Sequence, residues 1–162
     1  MNKHTLRYKG YGITLQEVPN EISLYFNVCG CPHKCKGCHS EYLWNEDNSQ
    51  SLYYDFEKIV SKYQNYITCV CFMGGDQNIQ EIIDLCKIIK QLNINEGLKI
   101  KTCLYSGDNI LNQEVLKYLN YYKIGNYNEE LGGLNSPETN QIFYQILNEE
   151  ELNNITSFFY KK

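Results

Sequence analysis

Hydrophobic positions along this chain switch repeatedly between a period of two and a period near 3.6. Residues 22–28 (ISLYFNV) form a β-rich run that ends at a group of cysteines, and a polar stretch, 45–51, follows that group. Residues 53–64 (YYDFEKIVSKYQ) carry Phe56, Ile59, Val60 and Tyr63 at helical spacing. The continuous apolar run 66–73 (YITCVCFM) reads as a buried strand closed by Gly74-Gly75, and 78–92 then places Ile79, Ile82, Ile83, Cys86 and Ile89 on one helical face. A third strand is predicted over 98–107, a third helix over 109–119 and a fourth strand over 121–127, with 141–147 (QIFYQIL) a candidate fifth strand. Strand, loop and helix repeated in this way predict right-handed βαβ units. Four or five strands are too few to close an eight-stranded barrel. The expected fold class is therefore α/β, an open partial (β/α) barrel with a mostly parallel sheet, built as one domain over 1–162.

In such sheets the working residues gather on loops at the carboxyl ends of the strands. Three loops here fall at that place: the cysteine loop after the first strand, Gly74-Gly75-Asp76 after the second and Ser106-Gly107-Asp108 after the third. They should open on one rim.

At 43% hydrophobic and 21% charged, the composition is that of an ordinary globular protein. A formal net charge of -4 argues against broad contact with a phosphate backbone, which needs a basic face, so no direct nucleic-acid partner is expected. No apolar run approaches the about 20 residues that span a bilayer, and the opening MNKHTLRYKGYGITL has no leader-like apolar segment. A cytoplasmic protein without a membrane partner is the expectation. In a reducing compartment thiols stay free, which turns a tight cysteine cluster toward metal or redox chemistry. Cys69, Cys71, Cys86 and Cys103 lie in apolar runs and read as small core residues.

The remaining four cysteines fall in CGCPHKCKGCH, residues 29–39. Cys31, Cys35 and Cys38 have the spacing C-x3-C-x2-C. Three thiolates on a short loop can each hold one iron of a cubane cluster and leave the fourth iron open. Structural zinc sites usually pair two C-x2-C elements to give four ligands, and ferredoxin runs differ in spacing and ligand number. A zinc reading needs Cys29, His33 or His39 as the fourth ligand and stays open on spacing alone.

The C-x3-C-x2-C loop at the end of a first strand resembles the signature of the radical S-adenosylmethionine (SAM) superfamily. The wider string GCPHKCKGCHSEYLW is similar to the activating proteins of anaerobic ribonucleotide reductases, as are FMGGD, LYSG and YYKIGNYNEELGGLNSPETNQIFYQI downstream. These blocks run from residue 11 to residue 147, most of the chain. The resemblance implies a radical SAM type of fold and a [4Fe–4S] cluster held by Cys31, Cys35 and Cys38, with S-adenosylmethionine on the open iron. It implies that Gly74, Gly75 and Asp76 receive the SAM amino group, that Tyr105, Ser106 and Gly107 line the ribose and methionine side, and that Lys123, Gly125 and Tyr127 lie on the strand approaching the adenine. Gly37 stands where the superfamily usually has an aromatic residue. Cys29 is not a family ligand, His33 and His39 flank the ligands and more naturally shield them, and Trp44 packs the end of the loop.

The implied activity is reductive cleavage of SAM to a 5′-deoxyadenosyl radical. The implied target is a glycine of the large anaerobic (class III) ribonucleotide reductase subunit, converted to a glycyl radical. An electron donor such as a flavodoxin or ferredoxin completes the implied partners. A radical SAM enzyme acting on a small molecule, and a non-enzymatic zinc or redox module, are the other readings. The second of these leaves Gly74-Gly75-Asp76 unexplained.

Overall fold

The computed structural model describes residues 3–38 and 40–160. Its strands are β1 (Arg7–Thr14), β2 (Ser23–Val28), β3 (Gln50–Ser51), β4 (Cys69–Met73), β5 (Lys101–Tyr105), β6 (Tyr121–Ile124), β7 (Ile142–Asn148) and β8 (Glu151–Asn154). They form one eight-stranded sheet in the order β3-β1-β2-β4-β5-β6-β7-β8. The sheet is accompanied by two long helices, α1 (Leu52–Tyr63) and α2 (Ile79–Glu96), one four-residue helix, α3 (Gln113–Leu116), and short 3-10 turns at Glu41–Leu43, Asp76–Asn78 and Thr156–Phe159.

The expectation of a mostly parallel, partial (β/α) barrel is overturned. Only three of the seven ladders, β2·β4, β4·β5 and β5·β6, are parallel. The other four, β1·β2, β1·β3, β6·β7 and β7·β8, are antiparallel. The architecture is a mixed sheet with few helices, in which a parallel centre is flanked by antiparallel strands on both sides. β1 escaped the sequence pattern because its register shifts between Tyr8 and Tyr11 and Gly10 takes φ +127°, which breaks strict alternation. β8 escaped because ELNN is polar and mostly exposed. The expected helix over 109–119 shrinks to Gln113–Leu116, since the Asn112 side chain accepts from the N–H groups of Glu114 and Val115 and so starts the helix late.

Successive strand residues face opposite sides of a sheet, and the two sides are covered differently. Phe26, Val70, Phe72, Leu104 and Tyr122 face the helices and pack with Phe56 of α1, Ile82 and Leu85 of α2 and Val115 of α3. Phe26, Phe56 and Phe72 form a three-ring cluster, with ring centres 5.3 Å (Phe26–Phe56), 5.6 Å (Phe56–Phe72) and 6.5 Å (Phe26–Phe72) apart. The opposite side holds a smaller layer of Cys69, Cys71, Cys103, Tyr121 and Phe143, closed by Val18 and Ile155. Helix α2 starts at Asn78, whose side chain accepts from Glu81 N–H, and ends at Gly97 in the left-handed conformation at φ 66°. Among the described residues no helix is long and apolar enough to cross a membrane.

Candidate metal centre and ligand cavity

The parallel centre places four side chains in one row. Asn27 pairs with Met73, Met73 with Tyr105, and Tyr105 with Lys123, all at the carboxyl ends of their strands and on the side away from the helices. This row is one wall of a cavity of about 210 Å³. The loops that leave β2, β4 and β5 supply the remaining walls: Cys31 and Cys38 from the first, Gly74, Gly75 and Asp76 from the second, Ser106 and Gly107 from the third. Of the residues to which the resemblance gives a cluster or SAM role, nine line one cavity: Cys31, Cys38, Gly74, Gly75, Asp76, Tyr105, Ser106, Gly107 and Lys123. Cys35 and Gly125 are not among its lining residues. Strand β6 ends at Ile124, so Gly125 and Tyr127 follow the strand rather than lying on it.

The cysteine loop curls because Gly30, Lys34 and Gly37 take positive φ (77°, 47° and 76°). A turn closes where Cys38 N–H donates to the Cys35 carbonyl at 3.1 Å, and Ser40 N–H points at Cys38 Sγ from 3.4 Å. Cys31, Cys35 and Cys38 are free thiols, each half-buried. Gly37 packs directly on Glu129, and Lys36 pairs with the same carboxylate at 3.3 Å, so the segment after β6 leans on the cysteine loop. Gly37 takes φ 76°, a conformation that L side chains rarely adopt, and a Cβ there would also crowd Glu129, so the turn favours glycine at this position. Cys29 differs from the other three. It is fully buried, its N–H donates to the Arg7 carbonyl, and burial pushes its thiol pKa up. His39 lies outside the described residues.

Asp76 is the polar centre of the cavity. Its Oδ2 lies 2.8 Å from His33 Nε2 and accepts the Gly107 N–H at 2.8 Å. Its Oδ1 is buried without a hydrogen-bond partner, an arrangement that is costly unless something else donates to it. His33 Nε2 is also 3.5 Å from Asp108 Oδ1. Burial, followed by the neighbouring Asp76 charge, pushes the Asp108 carboxyl up, with His33 acting in the opposite sense. The ring of His33 packs on Gly107 so closely that a Cβ there would clash. Gly74 and Gly75 take φ +110° and +125°, a region that L-residues rarely occupy, and this turn is what carries Asp76 into the cavity.

Lys123 is 8% exposed, and its Nζ donates to the carbonyls of Ser106 (3.0 Å) and Gly125 (2.9 Å). Burial pulls its pKa down to about 8, against the opposing pull of Asp76 and of Cys35, Cys31 and Cys38. The hydroxyl of Tyr105 donates to the Glu17 carbonyl and its ring meets Phe143 edge-on, so this side chain anchors the cavity floor. Asn27 and Met73 also line the cavity, and sequence reasoning missed them. The available signal was strand parity: both share a face with Tyr105 and Lys123. Trp44 reaches the cavity with its Nε1 buried and unpartnered.

Three free, half-buried thiols on a curled loop, one receiving an N–H contact on sulfur, form a donor set that fits an iron–sulfur cluster. A family model described as a 4Fe-4S single cluster domain matches residues 9–142. Among curated proteins and among solved structures, nothing matches.

Proposed function

This chain belongs to the 4Fe-4S single cluster domain family, and from that premise we propose that it is a radical SAM activase that generates a glycyl radical on a large anaerobic ribonucleotide reductase subunit. One observation carries the reading. Two of the loop's three free thiols, Cys31 and Cys38, and a carboxylate with an orphaned buried oxygen line one cavity at the carboxyl ends of parallel strands, and the third thiol, Cys35, is tied to Cys38 by the turn between them. Cys31, Cys35 and Cys38 would hold the cluster. When bound and reduced, such a cluster with one open iron supplies the electron that splits the sulfonium of SAM to methionine and a 5′-deoxyadenosyl radical.

The chain's own residues then bind and orient the cofactor. Asp76 Oδ1 accepts from the amino group of SAM, a charge-assisted bond that satisfies the buried atom. Gly74 and Gly75 let the backbone approach the ligand. Asp76 gives this side of the cavity a carboxylate suited to a molecule with an ammonium and a sulfonium. Met73, Tyr105 and Trp44 narrow the space and limit water. The partner supplies a glycine on a mobile loop, and an electron donor such as flavodoxin or ferredoxin supplies the electron.

The test is anaerobic reconstitution with iron and sulfide, then dithionite and SAM, with 5′-deoxyadenosine and methionine quantified. Addition of the reductase subunit should give the doublet signal of a glycyl radical by electron paramagnetic resonance. Asp76→Ala should keep the cluster and lose SAM cleavage. A colourless protein that holds zinc and never cleaves SAM would defeat the reading.

A further inference from the structure

Among the described residues, the buried ammonium of Lys123 has no counter-ion in contact: no carboxylate forms an ion pair with it, and its two acceptors are neutral carbonyls. A charge taken out of water without a partner is strongly unfavourable. A methionine, as at Met73 in the same row, could fill the space without that penalty. The fold nevertheless builds a seat for the charge. Gly125 takes φ +107° in the turn after β6, and its carbonyl comes back onto Nζ. A Cβ on Gly125 would lie 3.0 Å from Gln141 Cα, so no larger residue fits that turn. Two of the three N–H groups are thereby fixed on carbonyls, and one remains.

Lys123 lines the same cavity as Cys31, Cys38 and Asp76, and the charges that act on it are Asp76 first, then Cys35, Cys31 and Cys38. Three of these four are the thiols of the proposed metal loop. A fixed positive charge beside thiolates in a poorly solvated site favours the more negative oxidation state of whatever they hold. We propose that Lys123 is the built-in counter-charge of the thiolate site and raises the reduction potential of the cluster held there. This rests on the reading that Cys31, Cys35 and Cys38 hold the cluster. The step concerned is a one-electron reduction by dithionite. One electron is added, no bond breaks, and the added negative charge lies in the field of an ammonium that does not move.

The experiment is a mediated redox titration of the reconstituted protein without SAM, followed by electron paramagnetic resonance and visible absorbance. Lys123→Met removes the charge at nearly constant length, and Lys123→Gln keeps a donor for one carbonyl. Both should assemble a cluster with wild-type iron content and shift its midpoint to more negative potential. The shift should persist at high salt, because screening acts weakly on buried charges. Lys36→Met is the comparison, since that side chain belongs to the cysteine loop itself but is 91% exposed; its midpoint should stay at the wild-type value.

An unchanged midpoint in both Lys123 variants overturns the proposal. If the midpoint is unchanged while SAM binding, measured separately by equilibrium dialysis on the same variants, is lost, Lys123 is a carboxylate anchor instead and the proposal is wrong. Folded variants that hold no iron, or variants that do not fold, overturn it too, because a tuning charge is dispensable for both. Wild-type protein that takes up no iron defeats the ligand reading rather than this inference, and the iron assay separates the two.

Discussion

Gly75→Ala tests whether the turn after β4 depends on its backbone. Gly75 sits at φ 125°, ψ 6°, a conformation that costs a residue with a Cβ about 1–3 kcal/mol. The new Cβ would also lie 2.6 Å from Ile82 Cδ1, and Ile82 is fully buried under the sheet. Crowding of that kind typically adds about 1–3 kcal/mol. Together these predict a loss of about 2–6 kcal/mol, or roughly 4–24 °C in midpoint for a chain of this size. The two causes separate in a double-mutant cycle measured by anaerobic urea unfolding. Ile82→Val removes Cδ1 and should cost about 0.5–1.5 kcal/mol by itself. In the Gly75→Ala background it should cost nothing or restore stability, a coupling of about 1 kcal/mol or more. A Gly75→Ala protein within about 0.5 kcal/mol of wild type, or a cycle that is simply additive, would refute the steric argument.

Replacing Cys31, Cys35 or Cys38 with Ala should abolish iron uptake, whereas Cys29→Ala, which alters a buried core position, should keep the cluster; iron and sulfide analysis with visible absorbance decides it. Glu21 controls part of the acid stability. Burial pushes its carboxyl up, but hydrogen bonds from Lys101 (2.8 Å) and Tyr121 (2.6 Å) outweigh that and bring it below the usual range. Its folded pKa is thus depressed. The stability it contributes is present above the unfolded carboxylate value and is lost as pH falls from about 5 through the folded pKa. Urea midpoints from pH 7 to pH 3 should fall less steeply in Glu21→Gln than in wild type; parallel profiles would contradict the assignment.

Local pattern carried much of this site. The apolar runs of β2, β4 and β5, and the Gly and Cys punctuation after each, depend on residues close in sequence, so period and spacing alone located the cysteine loop, Gly74-Gly75-Asp76 and Ser106-Gly107. The same reasoning found α1 and α2, whose apolar faces recur at i, i+3 and i+4. The flanking strands were another matter. β1 bends at Gly10, β8 has almost no apolar residues, and β7 carries the same kind of apolar run whether it pairs parallel or antiparallel. Strand direction is a property of the pairing partner, which periodicity does not encode, and on that point the expected parallel barrel gave way to a mixed sheet.

By itself, then, the sequence determined which thiols, glycines and carboxylate were available and which strand ends they followed. Only the tertiary structure decided what they face. The row Asn27, Met73, Tyr105 and Lys123 exists because three parallel registers align residues that are far apart in the chain. The orphaned oxygen of Asp76, the contact with His33, and the seat that Gly125 and Ser106 make for a buried ammonium likewise follow from that alignment. Burial and charge at a site are sums over neighbours from separate strands, and those neighbours meet only when the sheet is assembled.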